Sequence, residues 1–211
     1  AFYGCSSLQN IKIPPKVIYI SLSLFYGCTN LLNVDFHDNI ISMEGEIFYK
    51  CINLQEFTLP PKVTSISPYT FYECNNLHLT IHDLVTSISY NAFCQCYMIL
   101  NFTLPPKVTK IQSSTFANCI SLSLFVIHDD VTEIGSYAFM GCQSLINFTF
   151  PLCITTIGDC TFSGCKRVQL DLHRNINSYG RRCFAACEKI TNFTIHSNVT
   201  EIPNELFYQC I

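Results

Sequence analysis

The sequence predicts an α/β, β-rich solenoid: a right-handed coil with a parallel sheet, a second short strand and a short helical or 3₁₀ turn in each repeat. Three observations predict it. A Phe-x-x-Cys step recurs ten times, from Phe2/Cys5 to Phe207/Cys210, at spacings of only 22 or 23 residues. Apolar residues stand three, six and eight positions after the step cysteine in the full-length units, as Leu54-x-x-Phe57-x-Leu59 after Cys51. The corner after that pattern alternates between Pro and His, with Pro14, Pro60 and Pro105 against His37, His82 and His128. A period in the twenties held through the whole chain is the signature of units that each pack only on their neighbours.

The elements follow in order along one unit, Cys51 to Phe71. After Cys51, Leu54, Phe57 and Leu59 are apolar, and Phe57 and Leu59 alternate with polar residues at the period of a strand with one buried face. Equivalent strands stacked about 4.8 Å apart make a parallel sheet, and parallel neighbours need a long return path. Pro60-Pro61 opens that path as a corner, where a fixed φ is useful and no ladder donor is lost. Val63-x-x-Ile66 forms the second short extended piece, and the predicted helical turn carries Phe71 and Cys74.

Two units are one residue short, and both deletions fall at the start of the strand, at Leu77-His78-Leu79 and Val168-Gln169-Leu170. They stand 91 residues apart. Duplication of a multi-unit block accounts for this spacing and for the alternating corners. The 211 residues read as one repeat domain, 1–211, of about nine to ten units, and both ends of the sequence fall inside a repeat.

Composition narrows the partners. Hydrophobic residues make up 49% and charged residues 13%, enough apolar material for a continuous core and too little charge for a disordered chain. The net charge of −3 and the scattered Lys and Arg leave no basic stripe for a phosphate backbone, so nucleic acid is not an expected partner. No apolar run is long enough to span a membrane; the densest, Leu122 to Ile127, ends at His128-Asp129-Asp130.

The repeat A-F-x-x-C-x-x-L-x-x-h-x-h-P-x-x-V-x-x-I resembles the BspA-type leucine-rich repeat. The segment Ala138-Phe139 through Cys142, Leu145 and Phe148 to Pro151 matches it almost position by position. The resemblance covers the whole chain, with Met43 and Tyr179 where Ile is usual and Cys153 interrupting one corner. It implies a leucine-rich-repeat coil and a role at the cell surface or in a secreted protein, in adhesion to host matrix or to other cells.

Fourteen cysteines invite a reading as disulfides or metal ligands. Ten occupy the repeat position, and parallel Cβ vectors in a stacked column keep them too far apart to bridge, so they are expected as buried free thiols. Cys94, Cys153, Cys160 and Cys183 break the register; Cys160 and Cys183 hold similar places in successive units, where a bridge is sterically open. Cys94 and Cys96 form only C-x-C, with no companion pair at zinc spacing. His37, His82, His128, His173 and His196 follow the strand directly and read as corner residues; only His173 and His196 fall in neighbouring coils. Asn101, Asn147 and Asn192 open Asn-Phe-Thr sequons that the repeat itself generates, and Asn198 opens one at a corner. No nucleophile elbow, zinc-protease motif or phosphate-binding loop occurs, so an enzyme and a cofactor are not expected.

The candidate ligand surface is the outward face of the strands, two columns in which Asn and Thr predominate. Its residues are Asn33, Asp35, Glu56, Thr58, Asn101, Thr103, Leu124, Val126, Asn147, Thr149, Asn192 and Thr194. Leu124 and Val126 interrupt the polar columns and are the natural anchor for a partner. The expected function is a recognition module for a protein or glycan. The alternative is an intracellular scaffold whose repeats target a separate effector domain.

Overall fold

The computed structural model describes residues 1–191 and 193–211. Its described strands form two parallel series, both running up the coil. The first series is β1 (Asn10–Lys12), β3 (Asn33–Asp35), β5 (Glu56–Thr58), β7 (His78–Thr80), β9 (Asn101–Thr103), β11 (Leu124–Val126), β13 (Asn147–Thr149) and β15 (Gln169–Asp171). The second is β2 (Tyr19–Ile20), β4 (Ser42–Met43), β6 (Ser65–Ile66), β8 (Ser87–Ile88), β10 (Lys110–Ile111), β12 (Glu133–Ile134), β14 (Thr156–Ile157) and β16 (Ser178–Tyr179). One strand of each series makes a coil, so coil 1 holds β1 and β2 and coil 8 holds β15 and β16.

The strands pair coil by coil, two at a time. Coil 1 pairs with 2, 3 with 4, 5 with 6 and 7 with 8, in both series and in parallel register. Between these pairs, among the described residues, the only ladder is a single rung from Leu124 to Asn147. Each pair is a Pro coil followed by a His coil, so the alternating corners mark a two-coil unit. Across the unit the histidine ring reaches the proline carbonyl: His37 to Pro14 at 3.0 Å, His82 to Pro60 at 3.1 Å, His128 to Pro105 at 3.2 Å and His173 to Pro151 at 2.9 Å.

The predicted helical turn is corrected. No helix forms among the described residues, and the Phe-x-x-Cys segment is a chain of tight turns. Hydrogen bonding explains why. The N–H groups of Ser23, Phe25 and Gly27 donate to Gly45, Ile47 and Tyr49 of the next coil, at 3.0, 3.0 and 2.7 Å. The N–H groups of Tyr26 and Cys28, each one residue further along, instead close turns within the coil, on Ser23 and Phe25. A helix needs every N–H pointing along its own axis, whereas this segment sends alternate donors to its neighbour. The alternation puts the residues two before and two after the repeat Phe in left-handed φ, as in Ser23 (54°) and Gly27 (69°), Glu46 (57°) and Lys50 (60°), and Tyr137 (62°) and Gly141 (72°). That conformation breaks a right-handed helix within one turn. These bonds run through successive coils without the interruption seen in the strands, so the turn side is the continuous spine of the molecule.

Inside the coil the repeat phenylalanines form one column. The rings from Phe25 to Phe184 are fully buried and stack at 5.4 to 6.2 Å. Strand residues such as Phe57, Phe102, Phe125 and Phe148 strike this column edge-on, the favourable arrangement for aromatic quadrupoles. Beside it runs the cysteine column. Each buried thiol donates to the Phe carbonyl of the preceding coil, as in Cys51 to Phe25 and Cys142 to Phe116, both at 3.1 Å. That carbonyl already closes the turn to its own coil's Cys N–H, so the thiol occupies its second lone pair. A side chain small enough for the column that also carries a donor fills both requirements.

Candidate recognition face

The first strand series places the predicted residues as the period-two pattern requires. Asn33, Asp35, Glu56, Thr58, Asn101, Thr103, Leu124, Val126, Asn147 and Thr149 are exposed, and the residue between each pair packs inward. Thr194 is exposed but outside any assigned strand, and Asn192 lies outside the described residues. The register joins Asn101, Leu124 and Asn147 in one row and Thr103 with Val126 in the next. It does not join the whole set. No Cα of β7 comes within 8 Å of β9, so Glu56 and Thr58 belong to a panel of coils 1–4, and Asn101 through Thr149 to a separate panel.

The second panel carries most of the apolar surface on this side. Leu124 is 51% exposed and Val126 44%. Met98, Leu100 and Ile146, on the approaches to β9 and β13, are exposed as well. The first panel is polar, with Lys12 and Asp35 paired at 2.9 Å on the open surface, a contact that contributes little.

The other candidates separate from this face. All fourteen cysteines are free, including Cys160 and Cys183; eight of the ten at the repeat position are buried, but Cys5 in the first unit is exposed and Cys210 in the last is half-buried, while Cys94 and Cys183, which break the register, are buried too. Burial holds the Cys74, Cys96, Cys142, Cys165 and Cys183 thiols well above the ordinary thiol range, and pushes Cys94 up to about 11. Such thiols are poor nucleophiles. Among the described residues no group of three or more His, Cys, Asp or Glu is placed to hold a metal ion. The histidine rings are committed to the corners, with His173 and His196 each turned to a carbonyl of the coil before it. Asn198 also points to the preceding coil, its amide donating to the Arg174 carbonyl at 2.9 Å.

Sequence reasoning missed one surface. Tyr3, Tyr26, Tyr49 and Tyr72, each directly after the repeat Phe, stack at 4.5 to 4.6 Å with rings within 7° of parallel. The identity was visible as Phe-Tyr in the first four units; the stacking depends on the spine holding adjacent coils in register. Burial by its neighbours is the main reason the Tyr49 hydroxyl is pushed up to about 12.

A parallel solenoid with a 22–23-residue period and an inward Leu/Phe/Cys pattern defines a leucine-rich-repeat protein. The chain belongs to the BspA-type leucine-rich-repeat family, whose repeat region matches in six copies over residues 1–123 and 109–211. Similar solved structures are bacterial. A leucine-rich-repeat protein of Bacteroides ovatus aligns over 96% of this chain and 55% of its own, with 24% identity and a TM-score of 0.88. A leucine-rich cell surface protein of Faecalibacterium prausnitzii aligns over 100% of this chain and 61% of its own, with 24% identity and a TM-score of 0.73. The pneumococcal vaccine antigen PcpA aligns over 97% and 56%, with 20% identity and a TM-score of 0.71. At these identities the likeness is one of fold, and the chain spans only 55% to 61% of the length of these three. No curated protein matches the sequence. Among the described residues no helix is long and apolar enough to cross a membrane.

Proposed function

We propose that this chain is a protein-recognition module acting at a cell surface, with its ligand seated on the face of coils 5 to 7. One observation carries the reading: the exposed Leu124 and Val126 interrupt otherwise polar columns in the middle of a hydrogen-bonded panel. An apolar centre with a polar rim of Asn101, Thr103, Asn147 and Thr149 has the composition of a protein interface core and rim. The backbone beneath is held by its ladders and by the spine, so presenting the face costs little ordering. Adhesion to host matrix or to other cells is the role suggested by the family and by the one neighbour described as a cell surface protein, that of Faecalibacterium prausnitzii.

The test is binding of the recombinant chain to immobilised matrix proteins and to host cells, with Leu124→Glu, Val126→Glu and the Asn101→Asp/Asn147→Asp pair. Each change is on the surface, so thermal stability should hold while binding falls about tenfold or more for the Leu124 variant. Unchanged binding with an intact fold would remove the site from this face. The second reading, an intracellular scaffold for an effector domain, is favoured by the free thiols, which suit a reducing compartment. Antibody staining of intact against permeabilised cells separates the two.

A further inference from the structure

The two short units and the break between the panels have one cause. In coils 2 and 6 the residue just before the strand, Leu32 or Ser123, accepts a hydrogen bond from the next coil: Gln55 N–H to Leu32 O at 3.1 Å and Ile146 N–H to Ser123 O at 3.3 Å. Coil 4 lacks this residue, because Leu77 is followed at once by the first strand residue, His78. Leu100, the counterpart of Gln55 and Ile146, therefore has no such acceptor, and Met98 N–H to Asn75 O is the last backbone rung on that side before the strands part. The spine stays closed there, with Phe71 N–H on Ala92 O at 2.9 Å. The result is a wedge that opens at the strand face.

The wedge is a cleft of about 230 Å³ between β7 and β9. Its floor is Leu77, Leu79 and Phe102, its lip Met98 and Leu100, its polar margin His78 and Asn101, and no Asp, Glu, Lys or Arg lines it. Its two walls are strand edges with no backbone hydrogen bonds to each other, and their Cα atoms are more than 8 Å apart, against about 4.8 Å for neighbouring strands. One strand placed between them needs two spacings, about 9.6 Å. Coil 8 lacks the same residue, and a second cleft of about 250 Å³ stands in the equivalent place, with Gln169, Leu170, Ile190 and Phe193 in its wall.

We propose that the split between β7 and β9 is a slot for an extended segment of a partner polypeptide. The segment lies between the two edges, hydrogen-bonds to both, and seats an apolar side chain over Leu79 and Phe102. Three features select a peptide. The gap exceeds one strand spacing, the walls offer backbone donors and acceptors at strand intervals, and the apolar floor suits an aliphatic or aromatic side chain. Adding a strand to an open edge takes its affinity from the main chain and its selectivity from alternate side-chain pockets. The inference rests on the sheet-face reading and extends its site from coils 5 to 7 across the edge of that panel to coil 4.

The probe is a capped peptide with the sequence of residues 99–107, which carries a strand of this repeat, followed by backbone amide NMR of the whole chain. Binding is expected to shift the amides of Leu79, Leu100 and Asn101, which face the slot, and to slow their exchange about tenfold or more, as new main-chain hydrogen bonds would. The same peptide N-methylated at alternate residues should lose this effect, as should a protein variant with one Asn inserted between Leu77 and His78 to restore the full unit. The N-methylated control needs no altered protein, so misfolding of the insertion leaves the test intact. Equal effects from the N-methylated peptide would overturn the slot, as would an absence of shifts at millimolar peptide, or shifts produced by chitotetraose and not by peptide. Failure of the slot while Leu124→Glu still abolishes matrix binding would leave the sheet-face reading standing.

Discussion

The imidazole Nε2 of His82 lies 3.1 Å from the carbonyl oxygen of Pro60, while its Nδ1 accepts the N–H of Leu84 at 3.3 Å. A carbonyl can only accept, so Nε2 carries the proton and the ring is fixed in one neutral tautomer. The last backbone rung of this strand pair is Leu59 N–H to Thr80 O, one residue before Pro60. The histidine supplies the next rung with a side chain. His82→Ala should remove the inter-coil partner of the Pro60 carbonyl, which keeps the Val63 N–H, and lower the unfolding free energy by about 0.5 to 1.5 kcal/mol. His82→Gln, which keeps a donor of similar reach, should recover part of that loss. Urea titration measures both, and an unchanged midpoint for His82→Ala would dismiss the corner as a stabilising element.

The thiol column sets a limit at alkaline pH. Burial raises the thiols in its interior: Cys187 to about 12, and Cys51, Cys74, Cys119 and Cys142 further. In the unfolded chain these groups ionise near pH 8.5. Above that pH the unfolded state binds fewer protons than the folded state, so stability falls as pH rises, by at most about 1.4 kcal/mol per thiol per pH unit. Stability should be complete below pH 8 and collapse cooperatively between about pH 9 and 11. Denaturant midpoints across that range check the slope. Replacing Cys119 with Val should make it shallower by one thiol, even if the substitution costs stability at neutral pH.

The same burial predicts a graded labelling pattern. Cys5 and Cys153 are exposed, Cys160 and Cys210 partly so, and the other ten are buried. Native protein treated with a maleimide at pH 7 should modify Cys5 and Cys153 within minutes and Cys160 and Cys210 more slowly. The remaining ten should react only at the rate of unfolding. Early loss of Cys96 or Cys142 by mass spectrometry would mean that the column opens locally.

The repeat, the strand with its inward Phe and the burial of the repeat cysteines from Cys28 to Cys187 were legible in the sequence because they are properties of side-chain alternation and period; Cys5 and Cys210, in the first and last units, escape that burial. The turn was not legible. A Phe-x-x-Cys step with flanking Ala and Gly reads equally as a helical turn or as linked tight turns, and the choice is made by where Phe25 and Gly27 send their N–H groups, which is a relation between coils. The alternation of Pro60 and His82 was visible as a pattern, but its meaning as a two-coil unit needed the ring-to-carbonyl bond. The face residues were placed by parity alone. Their division into two panels was not foreseen, although the missing residue before His78 was in plain view, because its consequence is a lost acceptor for Leu100.

Close stacking also fixes where a side chain is forbidden. The Gly180 N–H donates to Ile157 O at 2.7 Å, at the end of the β14–β16 ladder, which draws its backbone onto coil 7. A Cβ at Gly180 would meet the Asp159 N and the Gly158 carbonyl carbon far inside contact distance, and the Asp159 Cα at 2.6 Å. All three are backbone atoms, so no rotamer change relieves the clash, and coil 8 must lift from coil 7. Gly4 is the contrast: its φ of 69° disfavours a side chain, but nothing lies within 4 Å of its Cβ position. Gly4→Ala should therefore cost about 1 to 2 kcal/mol from backbone conformation alone. Gly180→Ala should exceed it by about 1 to 3 kcal/mol from overpacking, and should speed amide exchange at Gly180 and Arg181, where the ladder parts. Equal midpoints for the two variants in thermal unfolding would show that coil 8 relaxes freely, and that the strand pair of coils 7 and 8 is not the rigid unit its hydrogen bonds describe.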